Sequence, residues 1–379
     1  MPAPSKPVLG LYVHIPFCSA ICHYCNFNRG LFDAALKARY VDALEAHVRR
    51  DGGGEPVDAI YFGGGTPSLL DPAEVARLLG ACRDVFAVEP DVEVTLEANP
   101  ETVTPARLAG FREAGVTRLS FGVQSFRDDE LRRLGRIHDA ARARTVVEEA
   151  RRAGFDNLSL DLMMWLPGQT VAHWMESVDA LIACGPEHAS LYLLELYPNA
   201  PLQELMARQQ WSQTADDDAA DMYEWAMARL DGAGLTQYEI SNVARAGRRS
   251  RHNVKYWEDT EWRAFGVGAH GRRGAQRYRH VAATDEYVAR VEAGADPVAE
   301  RRTLSPDEGL SEALFMGLRM VDGVSLSTLG RRYGRDVRAR YGEALAPAAE
   351  AGLIVVEDDT MRLTRRGMLL ASEVMQVFV

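Results

Sequence analysis

The 379-residue chain predicts an α/β fold: a partial, laterally open (β/α)6 TIM-like barrel followed by a small C-terminal helical, winged-helix-like unit. Three observations carry that expectation. From residue 8 to 196, short apolar runs alternate with amphipathic stretches, the pattern of βα units around a parallel sheet. Helix start and stop signals punctuate the amphipathic stretches. Polar, glycine-rich or cysteine-rich segments also fall repeatedly at the carboxyl ends of the apolar runs, where parallel sheets and barrels place their chemistry.

The expected strands are 8–15, 57–62, 92–97, 116–123, 157–163 and 188–196. The first runs into a cysteine loop and the second into Gly63-Gly64-Gly65-Thr66. The others end at Glu97, Gln124-Ser125, Asp161 and Glu195. Six units are fewer than the eight of a closed barrel, so one side should stay open and admit a large substrate. Between the strands, Asp71-Pro72 with Glu74 reads as N-cap, N1 and N3, and Thr104-Pro105 repeats the cap and N1 signal. Gly110, Gly154 and Gly185 mark expected helix ends.

Past about residue 235 the pattern changes, giving an expected division into a barrel (1–235), a basic, aromatic extension (236–302) and the C-terminal unit (303–379). Between Arg245 and Arg279, ten Lys or Arg stand against three acidic residues, with Tyr256, Trp257, Trp262 and Tyr278 among them. In the last unit Ser305-Pro306 with Glu308 starts a helix, Gly323 and Gly334 punctuate, and 353–363 reads as a hairpin turning at Asp358-Asp359.

With 47% hydrophobic and 26% charged residues, composition is that of a globular protein with a substantial core. No signal peptide or long apolar span is read, so a cytoplasmic location is expected. A net charge of -11 disfavours nonspecific nucleic-acid binding by the whole chain. Five cysteines, three of them within eight positions, read as a metal site in a reducing compartment, not a disulfide framework. Cys82 and Cys184 stand alone and are expected to be buried.

Cys18, Cys22 and Cys25 follow Cx3Cx2C spacing on one loop, close enough for each to hold one iron of a 4Fe-4S cubane and leave the fourth iron open. The other reading is a zinc site completed by His14 or His23.

A Cx3CxφC loop with an aromatic before the last cysteine, here Tyr24, resembles the signature of the radical S-adenosylmethionine (SAM) superfamily, and Gly63-Gly64-Gly65-Thr66-Pro67 resembles its GGGTP. Further motifs are Tyr12-Val-His14, Glu97-Ala-Asn-Pro100, Arg118-Leu-Ser-Phe-Gly122-Val-Gln124-Ser-Phe126, Leu134-Gly-Arg136-Ile-His138, Asp161 with Leu166-Pro-Gly168-Gln-Thr170, and Tyr238-Glu-Ile-Ser-Asn242. Together they resemble the branch holding oxygen-independent coproporphyrinogen III oxidase and the HemW heme-chaperone family, over essentially the whole chain. The resemblance implies a barrel of the radical SAM type with a HemN-type C-terminal unit. It also implies that Tyr12, Tyr24, Gly64, Gly65, Thr66, Glu97, Gln124, Arg136 and Asp161 contact SAM. In the superfamily, methionine's amino and carboxylate groups chelate the open iron, and an electron from the cluster cleaves the sulfonium to a 5'-deoxyadenosyl radical. Singly, Glu97, Gln124 and Asp161 also read as caps, Arg136 as a solvated helix residue and Tyr12 as a core aromatic.

Asn26-Phe27-Asn28 after Cys25, and only eleven residues before Tyr12, resemble the heme-chaperone side more than the oxidase. So does Ser250-Arg-His252-Asn253-Val-Lys-Tyr256-Trp257, which resembles that family's HNxxYW motif. The resemblance implies heme as cargo at His252, Asn253, Tyr256 and Trp257. Imidazole can ligate the iron, the aromatics can pack on the porphyrin and nearby arginines can pair with propionates. It also implies heme-acceptor proteins such as respiratory cytochromes, and an electron donor; a homodimer is one possible assembly. The alternatives are porphyrinogen oxidation, a loop histidine in a solvated basic patch, an RNA groove and a redox-sensing winged-helix regulator. One departure is Met164-Trp165, where the family has an aromatic and a glycine; a bulky Trp165 is expected to narrow the cavity near Asp161.

Overall fold

The computed structural model describes residues 8–198, 200–213 and 215–379. All six expected strands are present: β1 (Leu9–Ile15), β2 (Pro56–Gly64), β3 (Ala87–Ala98), β4 (Arg118–Gln124), β5 (Leu158–Met164) and β6 (His188–Leu193). Each pairs in parallel with the next. β1 and β6 do not pair with each other, and the sheet they belong to, which continues past both, does not close on itself among the described residues.

Helices α1 (Ala34–Asp51), α2 (Pro72–Val85), α3 (Pro105–Ala114), α4 (Asp128–Arg133), α5 (Ala140–Arg152) and α6 (Val171–Cys184) lie between successive strands. Alternation along each strand sorts its residues onto two faces. Val94, Leu96, Leu119, Phe121, Leu158, Leu160 and Leu162 join the buried apolar core. The other parity is polar: Glu93, Thr95 and Glu97 on β3, Arg118 and Ser120 on β4, Ser159 and Asp161 on β5, His188 and Ser190 on β6. A closed (β/α)8 barrel fills its interior with branched apolar side chains. This one has a polar lumen.

The caps follow the sequence. Glu74 accepts a hydrogen bond from the Asp71 amide at 2.7 Å, completing a capping box at the start of α2. Thr104 Oγ1 accepts from the Arg107 amide at 3.3 Å at the start of α3. Thr104→Ala is expected to cost about 1 kcal/mol in chemical denaturation, the usual loss for an N-cap hydroxyl. Gly185 ends α6 in the left-handed conformation. Gly110 does not end α3: the helix continues to Ala114 and stops at left-handed Gly115. A Cβ at Gly110 would lie 2.8 Å from the Pro72 ring, so this glycine lets α2 and α3 pack closely.

Residues 236–302 extend the same sheet. Asn242–Ala244 runs antiparallel to β6, with Thr236–Gln237 beyond it. On the opposite side Trp262–Phe265 pairs in parallel with β1, followed by antiparallel His270–Arg273, Gln276–His280 and Val298–Thr303. The expected basic patch dissolves into ion pairs with distant acids: Arg248–Asp156, Arg249–Asp322, Arg251–Asp91, Lys255–Asp58, Arg263–Glu55, Arg272–Asp259, Arg277–Glu312 and Arg279–Glu300.

The C-terminal unit packs helices Pro306–Gly317, Leu326–Tyr333 and Val337–Glu350 against a three-stranded sheet around Leu310, Leu314, Leu345 and Met361. Its hairpin, Ile354–Glu357 with Thr360–Leu363, turns at Asp358-Asp359 as expected, with Asp358 at φ 51°. No helix among the described residues is long and apolar enough to cross a membrane.

Candidate functional site

A cavity of about 360 Å³ opens at the carboxyl ends of the parallel strands, a size suited to a small organic molecule. Cys18, Cys22 and Cys25 line it, together with Tyr24, Gly64, Gly65, Thr66, Glu97, Gln124, Arg136 and Asp161. Eight of the nine residues expected to contact SAM thus converge with the three cysteines.

The cysteine loop leaves β1 and is tied down at both ends. Gly30 and Leu31 pair with Phe17 and Cys18, and Thr66 Oγ1 lies 3.6 Å from Cys18 Sγ. Arg136 Nη1 approaches Cys22 Sγ at 3.4 Å. Burial raises the thiol pKa of both Cys18 and Cys25. Neither imidazole of the zinc reading is offered to the thiols. His14 engages Tyr12 through Nδ1 and the Asn28 carbonyl through Nε2, and His23 Nδ1 engages the Arg133 carbonyl. Three thiols lining one cavity, with no histidine among the residues that line it, fit the open-iron cubane better than tetrahedral zinc.

Two carboxylates line the same cavity. Glu97, at the end of β3, accepts from Tyr61 Oη at 2.7 Å and from the Gly64 amide at 3.1 Å. Burial, with Asp161 nearby, pushes its pKa up to about 7. Asp161 accepts from Ser120 at 3.3 Å and Ser159 at 3.5 Å, and burial pushes it up to about 6. Gly64 has φ +116°, and a Cβ there would lie 2.5 Å from the His14 ring, so glycine is required for the strand end to close on the cavity. Gln124 sits at φ 69°, a strained conformation for a residue with a side chain, and its buried Oε1 has no partner. Arg136 donates to Asn99 Oδ1 and the Gly122 carbonyl, both at 2.7 Å, while its buried Nε has no partner. An amide oxygen and a guanidinium nitrogen left unpaired in a polar cavity suit a ligand with hydroxyls and a carboxylate. The donor set therefore fits both the cluster and SAM.

Tyr12 is the exception. It does not line the cavity and instead clusters with Tyr61 and His252, ring centroids 6.3 and 6.1 Å away, those two rings lying 5.2 Å from each other. Trp165 does not line the cavity either. Met163, two residues on from Asp161, does so instead, while Trp165 turns away in the left-handed region at φ 66°. Asn99, Ser120, Met163 and Tyr192 are lining residues not expected from the sequence, although the polar alternation of β4 and β5 points to Ser120.

The HNxxYW segment forms the helix Arg251–Trp257, which closes the opposite, amino-terminal end of the lumen. The Arg251 amide donates to Glu93 on β3 at 2.9 Å, and Lys255 Nζ to the Val8 carbonyl at 3.1 Å. His252 is 1% exposed, and its Nε2 is bonded to Tyr256 Oη at 2.8 Å. Its Nδ1 has no partner, but a Cβ on Gly10 would lie 2.7 Å from it. Burial, then Lys255, lowers its pKa to about 3, so it is neutral. Asn253 receives the Ser250 cap through its backbone amide, and Trp257 stacks under Arg319, 4.4 Å from the ring centroid. The structure thus departs from the expected porphyrin-facing patch. His252 meets tyrosines of β1, β2 and its own helix, the arginines are paired with acids, and a heme reaches the ring only if this helix leaves the barrel.

Comparison with known proteins agrees with this architecture. The radical SAM superfamily profile matches residues 12–181, and that of the HemN C-terminal domain matches 304–370. The chain is 37% identical over 372 residues to the heme chaperone HemW of Bacillus subtilis, covering 97% of this chain and 98% of that protein. It is 40% identical over 338 residues to the bovine mitochondrial radical S-adenosyl methionine domain-containing protein 1, covering 86% of this chain and 76% of that one. In structure it superposes on coproporphyrinogen III oxidase (HemN) of Escherichia coli with a TM-score of 0.85 at 24% identity, covering 99% and 91% of the two chains. That last likeness establishes the fold. The full-length identity to HemW proteins establishes more: the chain belongs to the HemW family of the radical SAM superfamily.

Proposed function

We propose that this chain is a heme chaperone. In this reading it holds a 4Fe-4S cluster on Cys18, Cys22 and Cys25, binds SAM in the adjoining cavity, and carries heme to heme-requiring proteins in the cytoplasm, respiratory cytochromes among them. The observation that carries the reading is the 37% identity across nearly the whole of a protein named as a heme chaperone. The convergence of thiols, glycine strand end and polar groups on one cavity supports the cofactor part.

When bound and reduced, the cluster supplies one electron to the sulfonium of SAM. The protein's own groups do the placing. Glu97 and the Gly64–Thr66 backbone suit the ammonium, Arg136 the carboxylate, and Asp161 with Gln124 the ribose hydroxyls. Buried Tyr61 holds Glu97 in place, and the strained backbone of Gln124 aims its amide inward. An external one-electron donor completes the set.

The test is titration of anaerobically reconstituted protein with hemin, with and without SAM, following the Soret band and 5'-deoxyadenosine together. Saturable heme binding with an intact cluster is the expected result. Conversion of coproporphyrinogen III to protoporphyrinogen IX in the presence of SAM and a reductant would replace the chaperone reading with an oxidase.

A further inference from the structure

Two motifs read from the sequence are joined to the cavity by side chains that do not line it. Tyr238 opens Tyr238-Glu-Ile-Ser-Asn242, and Ser250 caps the HNxxYW helix. The Ser250 amide stands within hydrogen-bonding reach of Tyr238 Oη. Tyr238 Oη lies 2.9 Å from His188 Nε2, His188 Nδ1 lies 2.8 Å from Ser159 Oγ, and Ser159 Oγ lies 3.5 Å from Asp161 Oδ1. The last link is the longest, and contacts of this kind often shorten once a ligand is bound. Ser159, His188, Tyr238 and Ser250 are all buried, and of the whole chain of groups Asp161 alone lines the cavity.

Directions along the chain follow from counting protons. A buried hydroxyl needs an acceptor for its proton. The Ser250 amide can only donate, so Tyr238 Oη accepts from it and gives its own proton to His188 Nε2. Burial, then Arg118, lowers the His188 pKa well below the usual imidazole range, so the ring is neutral. With Nε2 accepting, the ring proton is assigned to Nδ1 and goes to Ser159 Oγ. The Ser159 proton is left for Asp161. Every donor therefore points the same way, from helix cap to carboxylate, where the hydroxyls of Ser120 and Ser190 also donate.

We infer that His188 and Tyr238 are positioning residues of the SAM site: they turn the Ser159 hydroxyl toward Asp161 and so hold that carboxylate ready to accept the ribose hydroxyls. The inference rests on the reading of the cavity as a SAM site. It makes the HNxxYW helix the outer anchor of that site, because the first donor of the chain is the amide of its N-cap.

The experiment measures SAM binding to the anaerobically reconstituted full chain by equilibrium dialysis, for the wild type, His188→Leu, His188→Asn and Tyr238→Phe. Each is also tested with a SAM analogue lacking both ribose hydroxyls, and iron and sulfide content check that each holds its cluster. His188→Leu is expected to weaken SAM about fivefold, the usual net worth of one hydrogen bond, and Tyr238→Phe less. His188→Asn, which keeps an N–H donor near the place of Nδ1, is expected to recover most of the loss. Affinity for the analogue is expected to stay unchanged throughout, since it has no hydroxyls for Asp161 to hold. Wild-type SAM affinity in His188→Leu overturns the inference. So does an equal loss in His188→Leu and His188→Asn, or an equal loss for SAM and the analogue, because either means that His188 only packs. If His188→Leu takes up no cluster, the shape-conserving Tyr238→Phe decides: weaker SAM with unchanged analogue supports the chain, and wild-type binding of both overturns it. If the wild type binds no SAM, the reading of the cavity falls first and the inference with it.

Discussion

Cys22→Ser is expected to yield protein that folds but takes up no 4Fe-4S cluster: no iron–sulfur absorbance, no labile sulfide and no SAM binding after anaerobic reconstitution. Each thiol is needed for one of the three protein-held irons, and a serine hydroxyl, ionising far less readily than a thiol, is a poor replacement. No spare thiol lies within reach, since Cys82 is buried on α2, Cys184 ends α6, and neither lines the cavity. Cys22 is half-buried on a loop whose neighbours are held by backbone bonds, including the Cys25 amide to the Cys22 carbonyl at 3.2 Å. The far-ultraviolet circular dichroism should therefore be unchanged. Cys184→Ser is the matching control and should reconstitute fully. A normal cluster in Cys22→Ser would remove the cysteine loop from the cofactor assignment.

The barrel is legible because parallel strands write themselves as short apolar runs and their helices as capped amphipathic stretches. Most of the cavity is legible for a related reason: Glu97, Gln124 and Asp161 stand at or near strand ends, where a polar residue needs an account. Attention to ends also hides the interior. Glu93, Thr95 and Glu97 alternate with Val94 and Leu96, and Ser159 and Asp161 with Leu160, so the polar face of each strand is already written with period two. Those inner residues build the lumen beneath the cavity. The segment 236–302 misleads for a different reason. Counting charge along the chain shows Arg249, Arg251 and Arg263 together, whereas their acids Asp322, Asp91 and Glu55 come from three other parts of the sequence. His252 is the same case with aromatics, since Tyr12 and Tyr61 belong to β1 and β2. Pairing across such separations is decided by topology, which local composition does not encode.

Arg118→Met is expected to cost the apoprotein on the order of 3 kcal/mol of stability at about pH 8 and close to nothing at about pH 5. Arg118 is 1% exposed inside the lumen, in register with Thr95, and its Nε and Nη1 have no hydrogen-bond partner. Its charge is felt by three buried carboxyls, Glu93, Glu97 and Asp161, each raised mainly by burial and each held down in part by this guanidinium. Because these acids have raised pKa values in the fold, the stability they contribute is complete below their unfolded values near 4. It is lost as pH rises through about 6 for Asp161 and about 7 for Glu97. For Glu97 that loss is about 3 kcal/mol even with the arginine present, because each tenfold change in proton affinity between the folded and unfolded chain is worth about 1.4 kcal/mol. Without the cation both values move higher and the penalty at alkaline pH grows, whereas at pH 5 both groups are largely protonated with or without it. Chemical denaturation of wild type and variant at the two pH values reads the difference directly. A loss of the same size at both would mean that Arg118 acts by packing alone. A loss confined to alkaline pH would mean that one buried cation keeps Glu97 and Asp161 ionisable enough to receive a cationic ligand, linking the polar lumen to the cavity above it.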